Sequence, residues 1–404
     1  MRGSYLPYCR PELSNDELSG ALGALRNGWL TTGPNVQTFE AEMAAVAGVR
    51  NAVAMSSCTA ALHVALRAFG IGPGDEVIMP SLTFLAGAQC TLELGATPVF
   101  ADVDPRTLSI TPESIHRVLS ARTKAIVPMP YAGRPLDIAA IVDLARARGL
   151  HVLEDAAHAA GMLDRGEWAG TRSDAAAYSF YATKNLTTCE GGMLLTNDDD
   201  LAARARSLAL HGMDRDAWKR YAAAGTWRYD VHEPGYKYNL PDPLAAIGLG
   251  QLHRLGAMQA RRHELAALYE EGLTEIPGIG LPARPVNEGD RLSWCMYVVT
   301  IDEERAGIGR DALIQALRER NIGTSVHYIP THLFAAYRFL EFRTCTNTER
   351  VWHTLISLPL YPSMTDDDVR DVVDAIGDTV DAALKQPQPD RVNGGLRARV
   401  DIQL

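Results

Sequence analysis

The chain has 404 residues, of which 47% are hydrophobic and 22% charged, a balance typical of a folded globular protein and not of a disordered one. Its formal net charge of −10 lacks the basic excess that nucleic-acid-binding proteins usually carry, so we expect no nucleic-acid partner. No stretch approaches the roughly 20 apolar residues that a membrane-spanning helix needs, so we expect no membrane partner.

The six cysteines are scattered, without a CxxC pair or the spacing of metal ligands. We therefore expect neither disulfides nor a bound metal, which fits a reducing compartment. Residues 1–10 lack the apolar core of a signal peptide. Together these patterns predict a soluble cytoplasmic protein.

Short apolar runs alternate with helical segments along the first two thirds of the chain. Helices are predicted at 60–69 and 137–148, and the Thr111-Pro112 pair predicts the start of another. This alternation predicts an α/β fold with a mostly parallel sheet, in which ligands gather at the carboxyl ends of the strands. The predicted strands lie at 52–55, 76–79, 97–101, 124–129, 151–153, 175–180 and 192–196.

The pattern changes after about Gly256. We interpret residues 1–255 as a large α/β domain, 256–385 as a smaller α+β C-terminal domain and 386–404 as a loose tail. The elements predicted beyond Gly256 are a long amphipathic helix, a strand, a second helix and a last apolar run, at 257–272, 295–301, 310–320 and 355–358.

Two charged residues stand at the ends of predicted strands. Lys184 follows the run 175–180, and Asp155 follows the run 151–153. A lone lysine in a loop is most often a solvated surface residue, and a lone aspartate is most often a helix cap or a loop acid. As a pair they match what pyridoxal phosphate (PLP) requires, which is an amine for its aldehyde and a carboxylate that keeps its pyridine nitrogen protonated.

A phosphate group would need a cradle near that pair. Ser57 to Ala60 precede a predicted helix, whose N-terminal N–H groups and dipole attract an anion, although the same segment also fits an ordinary helix cap. Ser179 would add a hydroxyl. Phe84 follows the predicted strand 76–79 and would stack on the pyridine ring, unless it is a plain core aromatic.

Three motifs together resemble a known family. Glu154-Asp155-Ala156-Ala157-His158, Ser179-Phe180 through Lys184-Asn185, and Glu190-Gly191-Gly192 are similar to those of the DegT/StrS-type sugar aminotransferases. The resemblance implies a fold-type-I PLP-dependent transferase, with a large PLP-binding domain and a smaller C-terminal domain. Further matching pieces, between Gly28 and Pro362, are Thr32-Gly33-Pro34, Tyr236-Lys237-Tyr238-Asn239, Ala245-Ala246-Ile247-Gly248 and Ser357-Leu358-Pro359-Leu360.

The resemblance implies a role for each matched residue. Lys184 would be the catalytic lysine that holds PLP and shuttles protons, and Asp155 would pair with the pyridine nitrogen. His158 would sit beside the ring hydroxyl. Asn239 would reach the cofactor phosphate of the other subunit, so a homodimer is expected. The residues that would hold the phosphate within one chain are Cys58, Thr59 and Ser179.

The implied reaction is a ping-pong transamination. L-glutamate would convert PLP to pyridoxamine phosphate, and a UDP- or dTDP-linked 4-keto sugar would then take up the amino group. The run from Pro234 to Asp242 most resembles a subgroup that aminates a UDP-linked 4-keto-pentose, whereas Phe84 and Cys58 depart from the family pattern. The residues that we expect to bind the substrate are Thr32, Arg228, Lys237, His327, Tyr328 and His332.

Alternative functions remain within this family. A PLP-dependent sugar dehydratase would commonly carry histidine in place of Lys184, and a non-catalytic relative would be expected to lose Lys184 or Asp155. Both residues are present, which favours the aminotransferase. An amino-cyclitol aminotransferase would use the same residues on a ketone without a nucleotide, and it stays open.

Overall fold

The computed structural model describes residues 2–213, 229–285, 287–340 and 344–386. Within these ranges the largest sheet has seven strands. In chain order they are β1 (Asn51–Met55), β2 (Glu76–Pro80), β3 (Thr97–Ala101), β4 (Thr123–Ile126), β5 (His151–Asp155), β6 (Ala175–Ser179) and β7 (Gly192–Thr196).

The strand order across this sheet is β1-β7-β6-β5-β4-β2-β3. Strands β6, β5, β4, β2 and β3 pair in parallel, and β7 runs antiparallel to both of its neighbours, β1 and β6. The prediction of a mostly parallel sheet is therefore confirmed. Every residue of β2, β6 and β7 is buried, which is why these strands read as continuous apolar runs without alternation.

Helices cover both faces of the sheet. Two large apolar clusters lie on its opposite sides, and Leu194 belongs to one whereas Leu195 belongs to the other, as the alternation of side chains along a strand requires. The predicted start at Thr111 is confirmed, since its hydroxyl caps the backbone N–H of Ser114 at 3.2 Å. These helices are α1 (Asn15–Arg26), α2 (Pro34–Ala47), α3 (Cys58–Ala68), α4 (Ala86–Glu93), α5 (Pro112–Val118), α6 (Ile138–Arg146) and α7 (Asp199–Leu208).

The longest helix, α8 (Asp242–Leu273), has 32 residues and leads into the C-terminal part of the chain. There, a three-stranded antiparallel sheet has the order β10-β9-β8, and its core is a third apolar cluster. Its strands are β8 (Ile279–Gly280), β9 (Tyr297–Ile301) and β10 (Leu355–Leu358). The remaining α-helices of the described ranges are α9 (Glu303–Ala306), α10 (Arg310–Glu319), α11 (Thr346–Trp352) and α12 (Asp366–Lys385).

The position where the sequence pattern changes, Gly256, lies inside α8, so one continuous helix crosses the predicted boundary at 255 and 256. The division into two domains stays a prediction. Of the predicted loose tail, all but Gln386 lies outside the described residues. None of the helices in the described ranges combines the length and the apolar character that spanning a bilayer would require.

Candidate active site

The carboxyl ends of β1, β5 and β6 open onto one cavity with a volume of about 540 Å³. Its position follows from the parallel sheet, because strands that run side by side in one direction end at the same edge. All the predicted cofactor residues except Asn239 line it, together with two of the predicted substrate residues. These lining residues are Cys58, Thr59, Phe84, Asp155, His158, Ser179, Lys184, His327 and Tyr328.

Asp155 is the last residue of β5 and is buried. One of its carboxylate oxygens accepts a hydrogen bond from the backbone N–H of Ala157 at 3.2 Å, and the Cys58 thiol lies 3.9 Å from the same oxygen. Burial raises the pKa of the Asp155 carboxyl, while the Ala157 N–H and the nearby Lys184 amine oppose that rise. Within the described residues it forms no salt bridge, although the Lys184 amine lies near enough to act on its pKa, and a cationic group in direct contact would be strongly favoured.

The first turn of α3 forms another part of the wall, next to Asp155. The hydroxyl of Ser57 caps this helix by accepting from the Ala60 N–H at 3.0 Å, which leaves the N–H groups of Cys58 and Thr59 without an intrahelical acceptor. Burial raises the pKa of the Cys58 thiol well above its usual range, so the thiol adds no negative charge to an anion site. A helix start with free N–H groups is suited to a phosphate.

The strand β7 begins directly against this helix start. A Cβ on its first residue, Gly192, would lie 2.3 Å from the backbone nitrogen of Cys58. Because this neighbour is backbone, a side chain at position 192 cannot be accommodated by a rotamer change. Gly192 therefore allows β7 to pack closely against the first turn of α3.

Lys184 lies in the loop that follows β6. Its backbone N–H donates to the Tyr181 carbonyl at 3.0 Å, and the next residue, Asn185, anchors the loop by donating to the Ser293 carbonyl at 2.6 Å. The Lys184 amine is close enough to Asp155 to lower the pKa of that carboxyl. Among the described residues the amine has no hydrogen-bond or ion-pair partner, so it is available to react.

His158 is a buried and neutral member of the cavity wall. Burial lowers the pKa of its imidazole well below 6.5, and the nearby Lys184 and His327 act in the same direction. Its Nε2 lies 2.9 Å from the Tyr328 hydroxyl. Its Nδ1 is buried and finds no hydrogen-bond partner within the described ranges. A buried polar atom without a hydrogen bond destabilises the folded protein, unless a bound group forms a hydrogen bond with it.

Phe84 and His327 complete the wall. Phe84 is 56% exposed and its ring lies 6.2 Å from that of Tyr328, so it stands at the cavity surface rather than in the core. His327 is held by the Ser357 hydroxyl at 2.7 Å from its Nδ1, and burial lowers the pKa of its imidazole to about 4. Burial therefore favours the neutral form of His327.

The predicted residues Thr32, Lys237 and Asn239 lie together, but they do not line this cavity. The Asn239 amide donates to the Thr32 hydroxyl at 2.8 Å, and the Lys237 ammonium donates to the Asn239 amide oxygen. Lys237 is exposed and the other two are half-buried. We name this group the Asn239 cluster.

His332, which the sequence predicts to contact the substrate, is buried in the structure, and that contact stays a prediction. Its side chain is 1% exposed and is held between the Ser81 hydroxyl and the Glu349 carboxylate, the latter 3.2 Å from its Nε2. It does not line the cavity, because its ring is enclosed beside β3. The remaining predicted substrate residue, Arg228, lies outside the described residues.

Sequence reasoning assigned no role to Glu190 or Tyr181, and both line the cavity. Glu190 belongs to the same motif as the Gly191-Gly192 pair, and its position next to that pair could have predicted that it lines the site. Tyr181 is 48% exposed, and no local pattern distinguishes it from an ordinary surface tyrosine.

Judged on the described residues, the cavity fits PLP on four counts: a buried carboxylate without a salt bridge, an amine without a hydrogen-bond partner, free N–H groups at a helix start, and an unsatisfied imidazole nitrogen. The first two match the cofactor's pyridine nitrogen and aldehyde. The third matches its phosphate.

Comparisons with known proteins agree with this fit. The model of the DegT/DnrJ/EryC1/StrS aminotransferase family matches residues 11–377. The spore coat polysaccharide biosynthesis protein SpsC of Bacillus subtilis (strain 168) is 48% identical over 389 residues, which cover 95% of this chain and 99% of SpsC.

Two solved structures are similar over most of their length. The PLP-form of Spr1654 from Streptococcus pneumoniae, described as a putative sugar aminotransferase, has 27% identity and a TM-score of 0.86, and the match covers 94% of this chain and 99% of that one. DesI, solved in the presence of its TDP-sugar product, has 32% identity and a TM-score of 0.84, with 94% of each chain covered.

Proposed function

Because the chain belongs to the DegT/DnrJ/EryC1/StrS aminotransferase family and is a PLP-dependent sugar aminotransferase, we propose that it aminates a nucleotide-linked keto sugar, with L-glutamate as the amino donor. The observation that carries the proposal is that the Lys184 amine and the Asp155 carboxylate line one cavity, beside a helix start suited to phosphate. The keto sugar is a UDP- or dTDP-linked 4-keto sugar in this proposal.

Two relatives support the choice of substrate. DesI was solved with a TDP-sugar product, and SpsC takes its name from the biosynthesis of a polysaccharide. The cavity volume of about 540 Å³ lies within the range of small-molecule sites. A ketone with an attached nucleotide would extend past Phe84, which stands exposed at the cavity surface.

PLP, when bound, supplies the electron sink that stabilises negative charge at the reacting carbon of the substrate. In this cavity Asp155 would pair with the pyridine nitrogen and keep it protonated. The free N–H groups of Cys58 and Thr59, with the Ser179 hydroxyl, would hold the phosphate.

The proton transfers would fall to Lys184. Once a substrate amine occupies the cavity, the Lys184 amine is the basic group that can take the proton from the substrate carbon. It would hold this proton on its Nζ and return it later in the same half-reaction. Burial lowers the pKa of the neighbouring imidazoles of His158 and His327, so both are weak bases and would not take the proton in place of Lys184. Both substrates would use this cavity in turn, which predicts ping-pong kinetics.

The Asn239 cluster is the basis for proposing a homodimer. It carries a cation and an amide that do not line the cavity of their own chain. We propose that in a dimer it completes the partner's cavity, where Asn239 would contact the cofactor phosphate and Lys237 the diphosphate of the sugar nucleotide. Arg228 remains a further candidate for the same diphosphate.

A panel of ketones would test the proposal. Enzyme carrying pyridoxamine phosphate is mixed with UDP- and dTDP-linked 4-keto sugars and with a keto-cyclitol that lacks a nucleotide, and the return of PLP absorption is timed. We expect a nucleotide-linked 4-keto sugar to react fastest. A faster reaction with the keto-cyclitol would overturn the proposal and favour the amino-cyclitol alternative. The Lys184→Ala variant provides the blank.

A further inference from the structure

Tyr328, which the sequence suggests as a contact of the sugar, makes a different contact in the structure. Its hydroxyl lies 2.9 Å from Nε2 of His158, and the two rings are nearly parallel, with 6° between their planes. Among the described residues this is the only hydrogen bond of the hydroxyl. The polar end of Tyr328 is therefore occupied by the protein before any substrate arrives.

The backbone of Tyr328 is fixed by the C-terminal sheet. Ser325 exchanges backbone hydrogen bonds with Ser357 of β10 at 3.1 and 2.8 Å, and the Ser357 hydroxyl also binds His327. The Tyr131 hydroxyl, from the large sheet's side, donates to the His327 carbonyl. Tyr328 is thus held from both sides, which suits a residue that orients another side chain.

Two proton arrangements are possible for a neutral tyrosine and a neutral imidazole. In the first, the Tyr328 hydroxyl donates to Nε2, and Nδ1 of His158 carries the imidazole proton. In the second, Nε2 donates to the tyrosine oxygen. The second leaves two groups unsatisfied within the described residues, the tyrosine O–H and the Nδ1 lone pair, whereas the first leaves only the Nδ1–H. The first is therefore favoured, because each buried unpaired polar group is costly.

The ionisation of both partners supports this assignment. Burial raises the pKa of Tyr328 well above its ordinary value, so its hydroxyl stays protonated and able to donate. Burial lowers the pKa of His158, so the imidazole stays neutral and keeps one accepting nitrogen. A neutral imidazole has one donor and one acceptor, and which nitrogen donates is set by the bond that the other nitrogen makes.

We propose that Tyr328 is a positioning residue that fixes the tautomer of His158, so that Nδ1–H is the donor that this histidine offers to the bound cofactor. The inference concerns the cofactor site and does not depend on which ketone is aminated. It assigns Tyr328 an action through His158 rather than on the sugar.

The variant Tyr328→Phe tests the proposal. Without the hydroxyl, Nε2 is free to take the proton, and the donor toward the cofactor is lost in part of the molecules. We expect the pH midpoint of the visible absorption of PLP-loaded enzyme to rise by about one unit and the dissociation constant of PLP to rise about tenfold. Tyr269→Phe is the matched control, because it removes a buried hydroxyl that donates to the Pro359 carbonyl at 2.9 Å in the C-terminal cluster; it should change neither quantity.

A double variant separates positioning from general loosening. In His158→Gln the side-chain amide has its own N–H donor, so adding Tyr328→Phe should shift the absorption midpoint by less than half as much as in the wild-type background. An equal shift in both backgrounds would overturn the proposal. So would a Tyr328→Phe variant that only raises the KM for the keto sugar, which is the result expected of a sugar contact.

The tautomer can also be read directly in wild-type protein. In PLP-loaded enzyme labelled with ¹⁵N-histidine, the His158 signals, identified by their loss in His158→Gln, report which nitrogen carries the proton. We expect Nδ1 to be protonated and Nε2 to be bare. The opposite assignment would overturn the proposal even if Tyr328→Phe failed to fold.

Discussion

Glu154 and Asp155 are adjacent on β5, yet they act on opposite sides of the sheet. Asp155 lines the cavity, whereas one carboxylate oxygen of Glu154 accepts hydrogen bonds from the Gly170 N–H at 2.8 Å and from the Ser173 hydroxyl at 2.7 Å. The Asp155 carboxyl faces the cavity, and the Glu154 carboxyl holds the connection between β5 and β6 in place. The alternation of a strand separates the two roles.

Glu154 should make stability fall as pH rises. Burial raises the pKa of its carboxyl to about 7, above the value of 4.5 expected in an unfolded chain. The folded state therefore holds this proton up to a higher pH, so its contribution is complete below about pH 4.5 and is lost toward pH 7. Denaturant titrations of wild type and Glu154→Gln should diverge over this window by up to about 3 kcal/mol, with the wild type losing stability. Parallel curves would contradict the prediction.

Lys184→Ala should lower kcat at least about 1,000-fold, because in the proposed mechanism Lys184 is both the attachment point of PLP and the proton shuttle. Borohydride treatment of wild-type enzyme should attach the cofactor to a peptide containing residue 184, as read by mass spectrometry. The variant should show no such adduct and should keep the circular dichroism of the wild type. Normal turnover in a folded variant would contradict the assignment.

Asp155→Asn should separate activity from stability. The amide keeps an oxygen for the Ala157 N–H but carries no charge to hold the pyridine nitrogen protonated, so kcat should fall at least about 100-fold. The apoprotein should be as stable as the wild type or more stable, because a buried carboxylate without a salt bridge in the described ranges is replaced by a neutral group. Activity assays and thermal unfolding of the apoprotein measure the two effects; a loss of both would indicate a purely structural role.

Gly192→Ala should destabilise the protein by about 2–3 kcal/mol and weaken PLP binding, because the new Cβ would meet the backbone of Cys58 at 2.3 Å. Gly256→Ala is the matched control, since no atom lies within 4 Å of the Cβ that it would add to α8. That change should stabilise the protein by about 1 kcal/mol through helix propensity. Urea titrations and PLP titrations of both variants provide the measurements.

Mixing two inactive variants would test the homodimer. Lys184→Ala removes the catalytic amine, and Asn239→Ala removes the residue that we propose to act in the partner's cavity. If the two sites are shared across subunits, hybrid dimers contain one intact site, and a refolded equimolar mixture should regain about a quarter of wild-type activity. A mixture as inactive as its components would count against an exchange of Asn239 between subunits.

Local pattern was sufficient for the elements that carry the cofactor residues. Asp155 and Ser179 end apolar strands, and Ser57 begins a helix, so their place at one edge follows from strand direction alone. Contacts between residues that are far apart in the chain have no corresponding local pattern in the sequence. The partners Tyr328 and His158 are 170 positions apart, and Ser81 is 251 positions from His332.

The start of α8 was missed for a related reason. Glycines are poor helix formers, and Gly248 and Gly250 interrupt the apolar pattern before Gly256. In the structure Gly248 lies against Phe39, where a Cβ would lie 2.7 Å from the ring, and a Cβ on Gly250 would lie 2.4 Å from Glu17. These glycines allow neighbouring helices to pack closely, and the hydrophobic periodicity of a single sequence does not predict such contacts.

The length of α8 also constrains how the protein can move. At about 1.5 Å per residue its 32 residues form a rod of roughly 48 Å, fastened at its first residue, Asp242, to α2 through the Val36 N–H at 3.0 Å. Its far end, at Leu273, packs into the apolar cluster of the C-terminal sheet. Leu255 and Met258 pack in the apolar cluster of the large sheet, whereas α8 joins the cluster of the C-terminal sheet from Leu265 onward. Any rocking of the C-terminal sheet over a bound substrate would therefore have to bend α8 between Met258 and Leu265, and residues 255 and 256 would stay with the large sheet.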